Sequence, residues 1–247
     1  MKLYSKYSEC RVLEPFDIDV YGKIKLSRLL SFMQVSADHH AEKIPVFDGL
    51  KEKNLIWVIA RMRVDLFCCP AYGDELEIET WTGIPDRLVF PRYFNFKLTG
   101  KSIGNATSQY VLLDRAENKM VPPKSIAEFY DSDSSNVKVL PQPVRVRFST
   151  DKGPVCHRTP LFSDIDFNGH MNNAKYADWI LDLYSTAQHR GKYVNSFNMN
   201  FISDGLEGSD IAIYKEDNID NSESLIKGDD SKTGKPVFSC LMSWKSI

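Results

Sequence analysis

The chain contains one short segment twice. Residues 17–29 read DIDVYGKIKLSRL and residues 164–176 read DIDFNGHMNNAKY, so both copies share Asp-Ile-Asp and a glycine three residues later. A segment that returns at a long interval, followed each time by similar elements, indicates an internal repeat. The repeat predicts that the 247 residues form two similar structural units, one after the other.

The first unit has the hydrophobic pattern of one helix followed by several strands. Apolar side chains recur at helical spacing over residues 25–43, which predicts an amphipathic helix with one buried face. Apolar and polar residues then alternate near residues 57–66, 75–80, 93–98 and 108–113, which predicts half-buried strands. A helix packed on one face of a curled antiparallel sheet would make this an α+β unit.

The second unit repeats this order. The alternation from Val144 to Phe148 predicts a strand, the second Asp-Ile-Asp segment follows, and an apolar stripe from Tyr176 to Ala187 predicts a second helix. Further strands are expected near residues 196–203, 209–216, 222–228 and 236–245. The turn before the long strand also recurs, as CPAYGDELEI in the first unit and DGLEGSDIAI in the second.

A polar segment separates the two units. Residues 131–143, DSDSSNVKVLPQP, contain prolines and no hydrophobic periodicity, so we interpret them as a linker. The sequence therefore predicts an N-terminal domain over residues 1–130 and a C-terminal domain over residues 144–247.

The composition excludes several other classes of protein. The 31 Lys and Arg residues nearly balance 33 Asp and Glu residues, so the net charge of −2 gives no general attraction to nucleic acid or to an anionic membrane. The five cysteines include no C-x-x-C pair, and no apolar run approaches the roughly 18 residues of a membrane span. No glycine-rich loop of the phosphate-binding kind occurs either. We expect a protein of the reducing cytoplasm that needs neither a metal nor a cofactor.

The extended motif DIDFNGHMNNAKYADWILD, which begins at Asp164, resembles the signature of the acyl-acyl carrier protein (acyl-ACP) thioesterases. The similarity covers nearly the whole chain in the order of its elements. It implies two tandem hot-dog domains, each a long helix wrapped by an antiparallel sheet, and hydrolysis of acyl-ACP thioesters to free fatty acids in fatty acid biosynthesis. The plant members carry a chloroplast transit peptide that this sequence lacks, so the chain resembles the bacterial members more.

The differences between the two copies indicate which residues could carry chemistry. Asn168 and His170 of the second copy are replaced in the first by Tyr21 and Lys23, which a purely structural role would not explain. Asn can donate and accept hydrogen bonds at once, and His titrates near neutral pH. Both therefore suit the orientation of a water or a substrate and the movement of a proton.

The role of Asp166 is open between two readings. Its counterpart Asp19 occupies the same place in the first copy, and Asp residues commonly form turns by accepting hydrogen bonds from backbone N–H groups. Asp166 is therefore either a catalytic residue or an architectural one.

Hydrolysis of a thioester also requires a base that activates water. The resemblance implies an acidic residue, usually Glu, from the strand that follows the helix, and alignment of the two turns places Asp204 there and Cys69 in the first copy. Glu207 is the competing base. Asp204 is one methylene shorter than Glu, and Gly205 stands where the plant enzymes have a cysteine. Direct attack by the carboxylate on the thioester remains an alternative to activation of water.

The segment around the start of the second unit is basic and holds Arg145, Arg147, Lys152 and Arg158. It is either the solvated face of a linker and strand or, as the resemblance implies, a docking surface for the acidic carrier protein. Trp57, Phe94 and Phe96 are candidates for lining an acyl pocket, with plain core as the alternative for each. Hot-dog units commonly pair, so the fusion could replace a dimer, and a homodimer of the whole chain is also open. The alternative functions are an acyl-CoA thioesterase and a non-catalytic sensor of acyl thioesters.

Overall fold

Antiparallel strands account for most of the regular structure. The computed structural model describes residues 5–44, 53–117, 119–124, 137–218, 220 and 222–247. The strands are β1 (Tyr7–Val12), β2 (Leu55–Leu66), β3 (Glu75–Thr82), β4 (Phe90–Leu98), β5 (Lys101–Asp114), β6 (Lys119–Val121), β7 (Cys156–Arg158), β8 (Lys192–Phe201), β9 (Ile211–Asp217), β10 (Glu223–Asp230) and β11 (Pro236–Ser246). The helices are α1 (Leu26–Glu42), α2 (Lys175–Leu181) and α3 (Thr186–His189), with short 3-10 turns at Pro15–Asp17 and Phe162–Asp164. None of the helices in these described ranges is long and apolar enough to cross a membrane.

The order of the strands repeats the two-unit pattern. They lie side by side as β1-β3-β4-β5-β2-β8-β11-β10-β9-β7, and β6 pairs with β5. From each edge toward the middle the two halves have the same connectivity, β1-β3-β4-β5-β2 and β7-β9-β10-β11-β8. They join where β2 runs antiparallel to β8, with Arg61 opposite Asn200 and Asp65 opposite Ser196. The predicted α+β arrangement of two hot-dog units is confirmed.

Helix α1 corresponds to the helix predicted over residues 25–43. Leu29, Leu30 and Met33 are completely buried on its apolar face, which packs toward β1, β3 and α2. Each such side chain contributes roughly 1.5–3 kcal/mol relative to an exposed position, so packing stabilises the helix more than its intrinsic propensity does. Pro45, which the pattern predicts as the end of the helix, lies outside the described residues.

The second helix is divided where the apolar stripe predicts a continuous one from Tyr176 to Ala187. Helices α2 and α3 are separated by residues 182–185, in which Tyr184 is buried and donates a hydrogen bond to Asp217 Oδ1 at 3.0 Å. Ser185 is the capping residue that precedes α3, and its backbone N–H donates a hydrogen bond to Gln188 Oε1 at 2.8 Å. This pairing of Ser with Gln three residues later is a helix start signal that apolar spacing alone does not reveal.

Strand β2 interrupts its predicted alternation. The pattern predicts that Val58, Ala60 and Met62 share one buried face, but a β-bulge lies between Ile59 and Arg61. The extra residue shifts the register, so that Ile59 and Met62 are both buried while Val58 and Ala60 are only partly covered. A bulge of this kind has no sequence signal here, since no glycine marks it.

The described part of the linker lies against the sheet. Residues 137–143 contain no helix or strand, and their carbonyl groups accept hydrogen bonds from strand side chains. Trp81 Nε1 donates to the carbonyl oxygen of Lys138 at 2.8 Å, and Thr107 Oγ1 donates to that of Pro141 at 2.8 Å. Side chains of the first half therefore hold this described part of the linker at Lys138 and Pro141.

The strand expected over residues 144–148 does not join any ladder in the described part of the chain. Its backbone binds side chains instead, because Val146 N–H donates to Asn200 Oδ1 at 2.9 Å and Ser239 Oγ donates to the Val146 carbonyl at 3.1 Å. Asn200 Nδ2 also donates to the Val144 carbonyl at 2.9 Å. Val146 is buried while its neighbours Arg145 and Arg147 are exposed, as the alternation predicts.

Candidate active site

Two loops with the same backbone hydrogen bonds lie ahead of α1 and α2. We call residues 17–25 the first loop and residues 164–172 the second loop. In the second loop, Asp166 Oδ1 accepts the backbone N–H groups of Asn168 at 2.8 Å and His170 at 3.4 Å. Asp19 makes the same two contacts in the first loop, at 2.8 and 3.0 Å. Gly169 has a φ of 83° and Gly22, its counterpart in the first loop, has a φ of 76°, a backbone conformation that residues other than glycine rarely adopt. The contacts of Asp166 are thus those of a turn former in both copies.

The second loop is joined to the turn that carries Asp204. The backbone N–H of Met171 donates to the carbonyl oxygen of Gly205 at 2.9 Å, which fixes Asp204 beside the loop. The same bond, also 2.9 Å long, links Ile24 of the first loop to the residue after Cys69. The alignment that pairs Asp204 with Cys69 therefore holds in three dimensions.

The side chains of His170 and Asp204 lie close together at this loop. His170 Nε2 lies 3.7 Å from Asp204 Oδ2, within ion-pair reach but too far for a direct hydrogen bond. Both side chains are open to solvent, at 46% and 62% exposure, so a water or a substrate can approach them. Glu207 is exposed and forms no hydrogen bond or ion pair with any residue that the structure describes. Among those residues, no group of three or more His, Cys, Asp or Glu side chains is arranged to hold a metal ion.

Asn168 is contacted by a residue from the other half of the molecule. Arg115 Nη2 donates to Asn168 Oδ1 at 3.3 Å, and the backbone N–H of Arg115 donates to the carbonyl of Asn54 at 3.2 Å. Because the amide oxygen of Asn168 faces a guanidinium, its NH₂ group remains to donate elsewhere. Sequence reasoning did not identify Arg115, since a single arginine after a strand belongs to no motif.

Gly205 lies in close contact with α2. A Cβ atom at this position would be 2.7 Å from the hydroxyl of Tyr176 and 3.2 Å from Met171 Cβ. Burial raises the pKa of Tyr176, which therefore stays a neutral phenol. A side chain at this position would therefore crowd Tyr176 and Met171 and displace the turn that carries Asp204.

The first loop and the turn joined to it carry different side chains at the matching positions. Tyr21 donates its hydroxyl proton to the carbonyl of Thr186 at 2.7 Å, and Lys23 Nζ lies 6.0 Å from the centre of the Tyr21 ring. Burial raises the pKa of the Cys69 thiol to about 12, so neither a carboxylate nor a thiolate is available there at neutral pH. The first loop keeps the turn and lacks the base.

The three candidate pocket aromatics differ in their surroundings in the described part of the structure. Phe94 and Phe96 are completely buried in the core. Trp57 borders a small cavity of about 90 Å³ at the end of α1, together with Phe90 and Tyr110. The edge of the Trp57 ring meets the Phe90 ring at a centroid distance of 4.8 Å.

The four basic candidates for carrier docking separate into two pairs. Lys152 Nζ lies 3.7 Å from Glu216 Oε1, and Arg158 Nη1 lies 3.4 Å from Asp182 Oδ2. Arg145 and Arg147 are exposed and have no ion-pair partner among the described residues. These two arginines are therefore the ones left to meet an external acid.

The chain matches known proteins along nearly its whole length. Residues 5–130 match the family model of the acyl-ACP thioesterase N-terminal domain, and residues 150–245 match that of the acyl-ACP thioesterase C-terminal domain. The chain is similar to oleoyl-acyl carrier protein thioesterase 2, chloroplastic, of Arabidopsis thaliana, with 25% identity over 202 residues that cover 71% of this chain and 53% of that protein. It is also similar to a chloroplastic dodecanoyl-[acyl-carrier-protein] hydrolase of Cinnamomum camphora, with 27% identity over 190 residues that cover 70% of this chain and 49% of that protein. The chain thus spans about half the length of the curated relatives it matches.

Solved structures show the same fold. An acyl-ACP thioesterase from Bacteroides thetaiotaomicron has a TM-score of 0.85 at 24% identity, with 97% of this chain and 98% of that chain covered. A 12:0-ACP thioesterase from Umbellularia californica has a TM-score of 0.84 at 18% identity, with 98% of each chain covered. Because the two family models together cover most of the sequence, the resemblance predicted from the motif is confirmed, and the chain belongs to the acyl-ACP thioesterase family.

Proposed function

We propose that this protein hydrolyses acyl-ACP thioesters to free fatty acids, in the cytoplasm. The observation that carries the proposal is the pairing of His170 with Asp204, 3.7 Å apart, at the loop that also contains Asn168. The names of the relatives, which are thioesterases or hydrolases of acyl-ACP, support the same reaction.

In the proposed mechanism, Asp204 removes a proton from a water molecule, and the water oxygen attacks the thioester carbonyl carbon. The NH₂ group of Asn168, which Arg115 leaves free to donate, stabilises the carbonyl oxygen as it becomes negative. The C–S bond then breaks, and His170 relays to the leaving sulfur the proton that Asp204 took from the water, which yields the acid and the free thiol and returns both side chains to their starting state. Asp166 is assigned a positioning role, because its carboxylate holds the backbone of Asn168 and His170.

We propose that the two halves divide the work, with residues 1–130 shaping the acyl pocket, residues 131–143 linking, and residues 144–247 carrying the catalytic groups. The contact between Arg115 and Asn168 supports this division, because it turns the second loop toward the first half. The small cavity beside Trp57 is the candidate start of the acyl pocket. The site already draws on both halves, so a homodimer is not needed to complete it.

Carrier recognition is assigned to Arg145 and Arg147. Their exposure and lack of acidic partners within the described residues support contact with an acidic carrier protein. Asn200, which binds Val146 between them, lies on β8, the strand that leads to Asp204. A carrier docked at these arginines would therefore lie toward the end of β8, the strand that precedes Asp204.

The test of the function is hydrolysis of one acyl group on two carriers. Faster hydrolysis of the acyl-ACP than of the acyl-CoA, by kcat/KM, supports the proposal. Activity on the acyl-CoA alone would make the protein an acyl-CoA thioesterase. Binding of both without release of thiol would make it a non-catalytic sensor of acyl thioesters. Rapid quenching followed by mass spectrometry of the protein distinguishes attack by Asp204, which adds the acyl group to the protein as a mixed anhydride, from direct attack by water, which forms no covalent adduct.

A further inference from the structure

A larger cavity lies beside the first loop. Its volume is about 300 Å³, at the lower end of the range of roughly 300–1,000 Å³ that is typical of ligand sites. Tyr21, Lys23 and Cys69 border it from the first half, and α2, α3, β8 and β11 of the second half close it, with Tyr184 and Trp244 among the contributors. The cavity is therefore the counterpart, at the first loop, of the proposed active site at the second loop.

This cavity lacks, at the positions that match His170 and Asp204, the two groups that the second loop is proposed to use for hydrolysis. Lys23 stands where the second loop has His170, and Cys69 stands where Asp204 would act as base. The thiol of Cys69 is held protonated by burial, which raises its pKa to about 12. A molecule that enters the cavity would therefore be bound and released unchanged.

Two ammonium groups of the cavity have no anionic partner among the residues that the structure describes. Lys23 Nζ and Lys192 Nζ lie over aromatic rings, 6.0 Å from the centre of Tyr21 and 4.8 Å from the centre of Trp244. In the described ranges, no carboxylate lies within ion-pair distance of either. Ammonium groups that are partly removed from water favour an anion that pairs with them.

The other charged groups around the cavity are mostly engaged. Asp19 accepts two backbone N–H groups, Asp182 pairs with Arg158, and Lys25 Nζ donates to the carbonyl of Phe16 at 3.3 Å. Asp178 is the remaining carboxylate of the lining, and it is outnumbered by Lys23 and Lys192. The lining holds three Lys and three Asp, and because Asp182 pairs with Arg158 from outside the lining, the three Lys exceed the two remaining Asp by one positive charge.

Apart from Thr186 and His189, the rest of the wall is formed by aliphatic and aromatic side chains, which suit an alkyl chain. The aliphatic side chains that line it are Leu26, Leu29, Leu66, Leu181 and Val194. The rings of Tyr184 and Trp244 extend this surface and meet edge to face at a centroid distance of 5.2 Å. A ligand that matches both parts has one anionic end and one flexible apolar chain.

We propose that the cavity beside the first loop is a non-catalytic binding site for a single-chain carboxylate, with the carboxylate at Lys23 and Lys192 and the chain among the leucines. The identification of this ligand with the reaction product rests on the proposed function. A thioester fits less well, because its carbonyl is neutral and would leave both ammonium groups without a counter-charge.

The test uses 11-bromoundecanoate, whose bromine quenches tryptophan fluorescence on contact. Trp244 lines the proposed site and Trp57 lines the smaller cavity, so the titration is made in a Trp57→Phe background. We expect saturable quenching that is lost when Trp244→Phe is added. The double variant Lys23→Met, Lys192→Met should weaken binding by about tenfold or more, the scale of losing charge-assisted contacts.

Two controls keep the result specific. Lys25→Met removes a cation of the same cavity that is already engaged, and it should change the affinity by less than about threefold. The neutral analogue 11-bromoundecanol should bind about tenfold or more weakly and should not respond to the lysine changes. This comparison of carboxylate with alcohol needs only the intact lysines, so it stands even if the lysine variants fail to fold.

Equal affinity for the carboxylate and the alcohol, or quenching that survives Trp244→Phe, would overturn the proposal. The two proposals of function and site fail separately. A protein that binds the bromo acid at Trp244 but does not hydrolyse acyl-ACP keeps this site and loses the proposed function. A protein that hydrolyses acyl-ACP but shows no quenching at Trp244 keeps the proposed function and loses this site.

Discussion

Arg115 of the first half and Asn168 of the second half are joined by a hydrogen bond of 3.3 Å, from guanidinium Nη2 to amide Oδ1. The bond crosses between the two repeated units and fixes which end of the amide faces outward. A residue of the first half thereby orients a residue that the proposed mechanism places at the thioester carbonyl.

Arg115→Met should therefore lower kcat by roughly tenfold while KM changes little, because the Asn168 amide loses its orientation and not its chemistry. Arg115→Lys, which keeps a donor, should recover part of the loss. Lys119→Met is the matched control, since it removes an exposed cation that is paired with Glu117. Steady-state kinetics with one acyl-ACP decide the matter, and an unchanged kcat in Arg115→Met would remove this positioning role.

Gly205 should not tolerate a side chain. In Gly205→Ala the new Cβ would lie 2.7 Å from the Tyr176 hydroxyl, so we expect a loss of about 1–3 kcal/mol in the free energy of unfolding and a fall in turnover as the Asp204 turn shifts. Adding Tyr176→Phe removes the nearest atom and should restore part of the stability. Gly153→Ala, where nothing lies within 4 Å, serves as the control in urea unfolding. Equal stability of the Gly205 and Gly153 variants would contradict the packing argument.

Carrier recognition should depend on salt. Reversing the charges with Arg145→Glu and Arg147→Glu should raise KM for acyl-ACP, and the effect should shrink with ionic strength because exposed charges are screened within about 10 Å at 0.1 M. Hydrolysis of a small acyl thioester should be nearly unaffected. Equal losses on both substrates would point to a structural role for the segment and against docking.

The stability of the fold should decline on acidification because of His40. This side chain is completely buried, and Arg92 Nη1 donates to its Nδ1 at 3.0 Å. Burial, together with the charge of Arg92, lowers the pKa of His40 to about 3. The folded protein thus keeps His40 neutral, whereas the unfolded chain binds a proton below a pKa of about 6.5. Stability contributed by the neutral ring is present above that value and is lost as the pH falls toward 3, by up to about 1.4 kcal/mol per pH unit.

His40→Gln should remove this part of the pH dependence, since Gln also offers an acceptor to Arg92 but does not titrate. Urea unfolding between about pH 7 and pH 5 measures this pH dependence of the free energy of unfolding. Most carboxylates titrate below that range and so contribute little to it. Thr80→Val is the comparison, because it removes the other acceptor of Arg92 Nη1 and should cost the same at every pH. An identical pH slope in His40→Gln and the unmodified protein would contradict the assignment.

The repeated features of this protein could be predicted from its sequence because each has a local cause. The Asp-Ile-Asp turns depend on one carboxylate and one glycine with positive φ, and both are visible in the letters. Helix α1 follows from its apolar spacing. The equivalence of Asp204 and Cys69 follows from the glycine-containing turns, and the bonds from Met171 and Ile24 bear it out.

The remaining features depend on contacts between distant residues. Arg115 reaches Asn168 only because β2 and β8 join the halves, which no local pattern encodes. The bulge in β2 is fixed by its pairing with β5. The extended segment around Val146 reads as a strand by alternation, but the side chain of Asn200 takes the place of a ladder partner. Such bonds between side chain and backbone do not change the alternation of apolar and polar residues. Hydrophobic periodicity therefore does not predict them.

The central claim is that the two similar loops differ in function, and that only the second loop supports hydrolysis. Asp204→Asn keeps shape and polarity but removes the base, so its kcat on acyl-ACP should fall by about 10²-fold or more, the usual scale of general base catalysis. His170→Ala and Asn168→Ala should also lower kcat. A larger loss in Glu207→Gln than in Asp204→Asn would transfer the role of base to Glu207.

The most direct measurement compares His170→Ala with Lys23→Ala, the matched change in the first loop, in folded protein and with one acyl-ACP substrate. The account predicts a large loss of kcat in His170→Ala and a loss of less than about tenfold in Lys23→Ala, because the turn joined to the first loop has Cys69 where a base would be needed. Comparable losses in the two variants, or full activity in Asp204→Asn, would contradict it.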